Sequence, residues 1–233
     1  EEYIHTVIDE AQDYSFLQMV ILKEISKNNS MTIVGDIGQG IYSYKGINTW
    51  ESLISKVFEE EATYITLTQS YRSTVEIIEF ANIVLEKQQL NVKPAMPILR
   101  HGMMPKVIEV EEDSEIESID SLVEEIHRLN KKTIAVVCKD FDKCRKLHKV
   151  LNKKSAFKWD LVGEEQDNMD VSNLIIPSYM TKGLEFDAVI VYDCDSLNYR
   201  DNDLDKKLLY VALTRALHIE YVLYKGELSP LLK

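Results

Sequence analysis

Residues 5–14 read HTVIDEAQDY. The apolar pair Val7 and Ile8 ends abruptly in two adjacent carboxylates, Asp9 and Glu10, and Gln12 and Asp13 follow at once. Buried strands do not usually end in a charge cluster unless something cationic or reactive sits at their tip. The stretch therefore raises two questions: what covers this strand, and what the carboxylates act on.

Working outward, the same short β-rich run recurs at TVI (6–8), MTIVGD (31–36), TYITLT (63–68), KVIEVE (106–111), TIAVVC (133–138), NLIIPSY (173–179), DAVIVYD (187–193) and IEYVLY (219–224). Several are apolar at nearly every position, as expected of strands covered on both faces. Helical patterns lie between them, among them SFLQMVILKEIS, STVEIIEFANIVLEKQ and LDKKLLYVALTRAL. This alternation predicts an α/β fold with mainly parallel sheet. Ser73 with Glu76, and Ser114 with Glu117, have the spacing of a capping box at helix starts. Residues 91–105 hold three of the five prolines and read as a loop.

A chain of 233 residues, 45% hydrophobic and 28% charged, can bury a real core in one large domain or two small ones. No apolar run reaches membrane-spanning length, and no secretory signal is present. The three cysteines, Cys138, Cys144 and Cys194, make no CxxC pair, which suits reduced thiols in a cytoplasmic protein. The histidines have no metal-ligand spacing. A net charge of −12 opposes overall attraction to a nucleic-acid backbone, which needs clustered Lys and Arg. The Lys/Arg-rich stretch 131–154 is either a local basic patch or the solvated face of an amphipathic helix.

Asp then Glu at a strand tip suits one chemistry well: the first holds a hydrated Mg²⁺ and the second polarises a water. This is the Walker B arrangement of P-loop NTPases. Alone, VIDEAQD could be an exposed acidic turn capping a helix. Four further stretches follow it in order: IVGDIGQGIYSYKG (33–46), LTQSYRSTV (67–75), MTKGLEFDAVIV (180–191) and LLYVALTRAL (208–217). Together the five resemble helicase motifs II to VI of the superfamily 1 UvrD/Rep-like helicases, over nearly the whole chain. The resemblance implies a RecA-like second motor domain over 62–233 and the tail of a first over 1–61, with ATP bound between them in the intact protein.

It also implies roles. Asp9 would be the Mg²⁺ carboxylate, Glu10 the base that aligns the attacking water, and Gln39 the sensor of the γ-phosphate. Tyr71 would stack on adenine, while Arg72 and Arg215 would reach the γ-phosphate, a task suited to guanidinium. Glu185 would accept from the ribose hydroxyl, Gly183 would let the backbone approach closely, and Lys182 would face the nucleotide. Tyr42 and Tyr44 would lie against single-stranded DNA bases. Plainer readings stand beside these: core aromatics for Tyr42 and Tyr44, a helix-start cation for Lys182, a snorkelling surface arginine for Arg215.

The chain departs from the family pattern in four ways. It contains no GxxxxGKS/T phosphate loop. It begins EEYIHTV without a methionine, as a cut through a longer protein would. Such a cut leaves strand edges through which two copies could pair. Pro177 and Tyr179 stand where the family has Thr and His, and little room remains for the insertion that UvrD and Rep carry. These last features look more like HelD-type ATPases, which remodel RNA polymerase. The expectation is the C-terminal motor half of an ATP-dependent DNA helicase, inactive alone. The alternatives are the same half of a polymerase-remodelling ATPase, or a non-catalytic interaction module.

Overall fold

The computed structural model describes residues 2–41, 46–59, 61–90, 94–98, 100–111, 113–163 and 172–233. The chain divides into two compact units, Glu1–Leu67 with Gln88–Lys93, and Thr68–Lys87 with Pro94–Lys233. The sequence expectation set the division earlier, after residue 61, and gave the first unit no returning segment. Within the first unit Gln88 donates to the Gly38 carbonyl at 3.2 Å, and Leu90 packs against the apolar cluster.

In the first unit, β1 (Thr6–Ile8) pairs in parallel with β2 (Met31–Ile33), Ile8 opposite Ile33. Helix α1 (Phe16–Glu24) lies between them in sequence, and α2 (Trp50–Val57) follows. Ile8, Ala11, Met19, Ile37, Ile47, Leu53, Val57 and Phe58 form one apolar cluster. Val7, on the opposite face of β1, is 67% exposed. The strand that opened the sequence reading is thus covered on one face here, not two, as period-2 alternation dictates for a sheet with helices on a single side.

The second unit begins with β3 (Gln69–Ser70), α3 (Val75–Lys87) and β4 (Met96–Pro97), the two short strands pairing in parallel. Then follow β5 (Lys106–Glu109), α4 (Glu115–Arg128), β6 (Ile134–Cys138), α5 (Phe141–Lys154), β7 (Asp160–Leu161), β8 (Asn173–Pro177), β9 (Phe186–Val191), α6 (Asp203–Leu213) and β10 (Ala216–Tyr224). Six of these strands build an all-parallel sheet in the order β5-β10-β9-β6-β8-β7. Every residue of β6 and β8 is buried, as the continuous apolar runs IAVVC and NLIIP require. One face carries α4 and α5 over Ile134, Val136, Ile190 and Tyr221. On the other, α3 packs on α6 and β10, and α6 packs on β9. The expected RecA-like α/β architecture is what the chain adopts.

Local expectations fared unevenly. TYITLT forms no strand: Ile65 and Leu67 are 74% and 89% exposed, and pairing starts only at Gln69. β-propensity without a partner strand does not make a sheet. Neither expected capping box closes. The Ser73 hydroxyl donates to the Ala216 carbonyl at 2.5 Å, and Glu76 accepts from the Gly102 amide and His101. Ser114 makes no side-chain cap at the start of α4. A full capping box does form at Ser15 and Gln18, before α1. No described helix is long and apolar enough to cross a membrane.

Candidate functional site

In the first unit the carboxylates follow directly on β1. Asp9 is exposed, and its Oδ1 accepts from the Glu10 amide at 2.8 Å. Glu10 sits in the left-handed region, φ 51° and ψ 41°, where a residue without a special reason pays a steric penalty. That turn throws its carboxylate onto the Gln12 side-chain amide. Gln12 is 1% exposed, and its Oε1 accepts from the Asp36 amide at 2.9 Å. Asp36 in turn accepts from Gly38 N and from Gln39 Nε2, both at 2.8 Å. Glu10, Gln12, Asp36 and Gln39 therefore form one hydrogen-bonded chain.

Gln12 and Asp36 have no role in the sequence reading; the sequence signal for them is their place close to Glu10 and Gln39. The close approach also explains Gly35. A Cβ there would clash with Gln12 Oε1 and come within 2.9 Å of the Ala11 amide.

Tyr42 and Tyr44 lie outside the described residues. Among the described residues no group of three His, Cys, Asp or Glu could enclose a metal ion. Asp9 fits a different kind of site. Mg²⁺ is ordinarily held by one or two carboxylates, with waters and phosphates completing its shell.

In the second unit three motif stretches meet at the amino ends of β9 and β10. Arg72 Nε forms an ion pair with Glu185 Oε1, joining LTQSYRS to KGLEF. Ser73 holds Ala216, joining LTQSYRS to TRAL. The Phe186 amide donates to the Arg215 carbonyl at 3.1 Å, joining KGLEF to TRAL. Tyr71, next to Arg72, is 69% exposed, and its hydroxyl donates to Gln69 Oε1 at 3.0 Å. Its ring is thus open to a planar partner.

Arg215 departs from the snorkelling alternative: it is 3% exposed. Its Nε donates to Val211 O at 3.1 Å and its Nη2 to Thr214 Oγ1 at 3.0 Å. Lys182 and Gly183 occupy a turn closed by the Leu184 amide on Thr181 O at 3.0 Å. Gly183 has φ 74°, with nothing within 4 Å of where a Cβ would stand. A positive φ of this kind is a backbone requirement that glycine meets without steric cost.

The comparisons with known proteins bear on the same stretches. Residues 1–56 match the model of the UvrD/REP helicase N-terminal domain, and 174–223 match that of the UvrD-like helicase C-terminal domain. A probable DNA helicase of Mycoplasma pneumoniae is 27% identical, covering 92% of this chain and 42% of that protein. The ATP-dependent DNA helicase PcrA of Bacillus subtilis is 35% identical over 94 residues, which is 40% of this chain and 12% of that protein. Among solved structures, the C-terminal domain of a possible DNA helicase from a Lactobacillus, strain WCFS1, is similar with a TM-score of 0.58 and 28% identity. That match covers 70% of this chain and 92% of that one. The chain thus spans well under half the length of the curated relatives it matches. With one family model at each end of the motif series and helicases among its relatives, the chain is similar to UvrD/Rep-like helicases in both of its units.

Proposed function

We propose that this chain supplies the Walker B strand and the second motor unit of an ATP-dependent DNA helicase that moves on single-stranded DNA. The observation that carries the reading is the Arg72–Glu185 pair. Two residues singled out by separate motifs, far apart in sequence, are brought together by the sheet beside buried Arg215. In the longer protein Asp9 would hold Mg²⁺ and Glu10 would orient the attacking water. Gln39, tied to Glu10 through Gln12 and Asp36, would report on the γ-phosphate. The metal would neutralise phosphate charge, and Arg72 and Arg215 would add fixed positive charge of their own. Tyr71 would stack on the base, and Glu185 would accept from the ribose once Arg72 turns to phosphate. The division near residue 61 would separate the two motor domains.

Without a phosphate loop this chain should hydrolyse no ATP. In a longer form that includes a GxxxxGKS/T segment, Glu10→Gln should lower kcat by about a hundredfold or more while leaving nucleotide binding largely intact. ATP hydrolysis by the present chain, abolished by Glu10→Gln, would sink the inactivity claim. Stimulation of the longer form by single-stranded DNA supports the helicase reading. Pro177 and Tyr179, at the places of Thr and His, favour the polymerase-remodelling alternative instead. Stimulation by RNA polymerase and not by DNA would select it.

A further inference from the structure

Pairing in β3 stops at Ser70, and α3 begins only at Val75. Arg72 therefore stands on a short connection rather than inside a strand or a helix. A side chain on such a connection keeps one direction only where the backbone beneath it is tied down. Residues 96–102, which the sequence shows only as part of a proline-bearing loop, supply the ties.

This segment runs beside 68–76 at a constant offset of 28 residues. The Met96 amide donates to the Thr68 carbonyl at 2.7 Å, and the Ile98 amide to the Ser70 carbonyl at 3.1 Å. The next bond of this ladder would come from the Arg100 amide, but that amide turns back onto the Ile98 carbonyl at 2.6 Å. The Arg100 guanidinium takes its place, Nη1 donating to the Arg72 carbonyl at 3.3 Å. One step further, Gly102 lies so close to Thr74 that a Cβ would stand 2.5 Å from Thr74 Cγ2.

Arg100 is itself held from two sides. Its carbonyl accepts from the Val75 amide at 2.9 Å, at the start of α3. Its Nη2 lies against the His218 ring of β10, in contact with Nδ1 and 3.0 Å from Nε2. A guanidinium can only donate, so it needs a ring nitrogen without a proton. Burial, Arg100 and Lys131 hold the His218 pKa below the usual histidine range, against the pull of Asp187, which keeps the ring neutral at pH 7. Beyond Arg100, His101 and the Gly102 amide grip the Glu76 carboxylate at 2.9 and 2.8 Å. Arg72 is thus fixed at both ends, its carbonyl by Arg100 and its guanidinium by Glu185.

We propose that Arg100 is a positioning residue for Arg72: by holding the Arg72 carbonyl it sets where the Arg72 guanidinium points. The proposal deepens the helicase reading and rests on it for what Arg72 acts on, the terminal phosphate of a nucleotide.

In this chain the test follows the Arg72 Nε–H resonance by NMR, at neutral pH and low temperature. The Glu185 pair slows its exchange with water. Arg100→Ala should speed that exchange about tenfold or more with melting unchanged, while Arg145, paired with Asp142, keeps its rate. Arg100→Lys, which retains a donor for the carbonyl, should recover at least about half of the effect. In a longer form that includes a GxxxxGKS/T segment, Arg100→Ala should lower kcat about tenfold and leave KM for ATP within about threefold. In an Arg72→Ala background the same change should lower kcat by less than about twofold, because a residue that acts through Arg72 then has nothing to position.

An Arg72 resonance unmoved by Arg100→Ala overturns the proposal, and so do fully additive losses in the double variant. Should Arg100→Ala fail to fold, Arg100→Gln, which drops the charged fork, takes its place in both measurements. ATP hydrolysis by the longer form with Arg72 indifferent to Arg100 removes this role alone. A released Arg72 in a longer form that never hydrolyses ATP removes the helicase reading alone.

Discussion

Glu220 is a carboxyl group in the wrong solvent. It lies on β10, 1% exposed, and neither of its oxygens has a hydrogen-bond partner among the described residues. Burial raises its pKa well above the usual carboxylate range, whereas unfolded it would titrate near 4.5. The folded chain therefore keeps a proton that the unfolded chain releases. Its contribution to stability is fully present below pH 4.5 and is progressively lost as pH rises above it. Glu220→Leu should accordingly raise Tm, and by more at pH 8 than at pH 5. The gain should be several degrees, since removing an unpaired buried polar group is worth roughly 1–3 kcal/mol. Thermal melts of both proteins at the two pH values check this; an equal gain at both would refute the protonation argument. At the same scale, Gly183 was legible as a motif residue. Its positive φ was not, because spacing alone does not state the sign of φ in a turn.

At the scale of elements, α6 depends on its first turn. Asn202 Oδ1 accepts from the Asp205 amide at 2.9 Å, and the Asp205 carboxylate returns to the Asn202 side chain and to Lys139. The arrangement satisfies amides at the helix start and fixes the helix that leads into Arg215. Asp205→Ala would strip a partner from the mostly buried Lys139 and should cost roughly 3–5 kcal/mol in urea unfolding. Asp205→Asn, which can still accept from the Arg200 amide, should cost less. None of this was read from the sequence, where two serine-led caps were expected instead. Both serines have the right spacing, but Ser73 is taken by Ala216, a residue brought near it by the sheet. Spacing specifies which bonds a side chain can make locally, and tertiary neighbours decide which it makes.

For the whole molecule, the two units differ in how much sheet they hold. The first has a two-stranded parallel pair with Val7 exposed on its open face; the second has six parallel strands with β6 and β8 buried throughout. A two-stranded pair is marginal without further cover. Amides of β1 and β2 should therefore exchange with solvent faster than those of β6 and β9, by on the order of a hundredfold or more. Hydrogen-exchange mass spectrometry resolves the two sets of peptides. Equal protection would mean that the open face of β1 is covered in solution.

Much of the architecture was legible in HTVIDEAQDY and its four companion stretches. Continuous apolar runs determined that β6, β8 and β9 would be buried, and alternation with helices determined a parallel sheet, because a strand with polar faces cannot sit between two helical layers. The motif strings likewise carried the resemblance to UvrD/Rep-like helicases. What only the tertiary structure decided is who meets whom. Arg72 faces Glu185, Arg215 is buried against backbone carbonyls, and Gln12 links Glu10 to Asp36. The contacts of the second unit follow from strand order: β9 and β10 pair with each other, but their outer neighbours, β6 and β5, come from much earlier in the chain. The opening carboxylates keep their place at a strand tip, now as one end of a hydrogen-bonded chain that runs to Gln39.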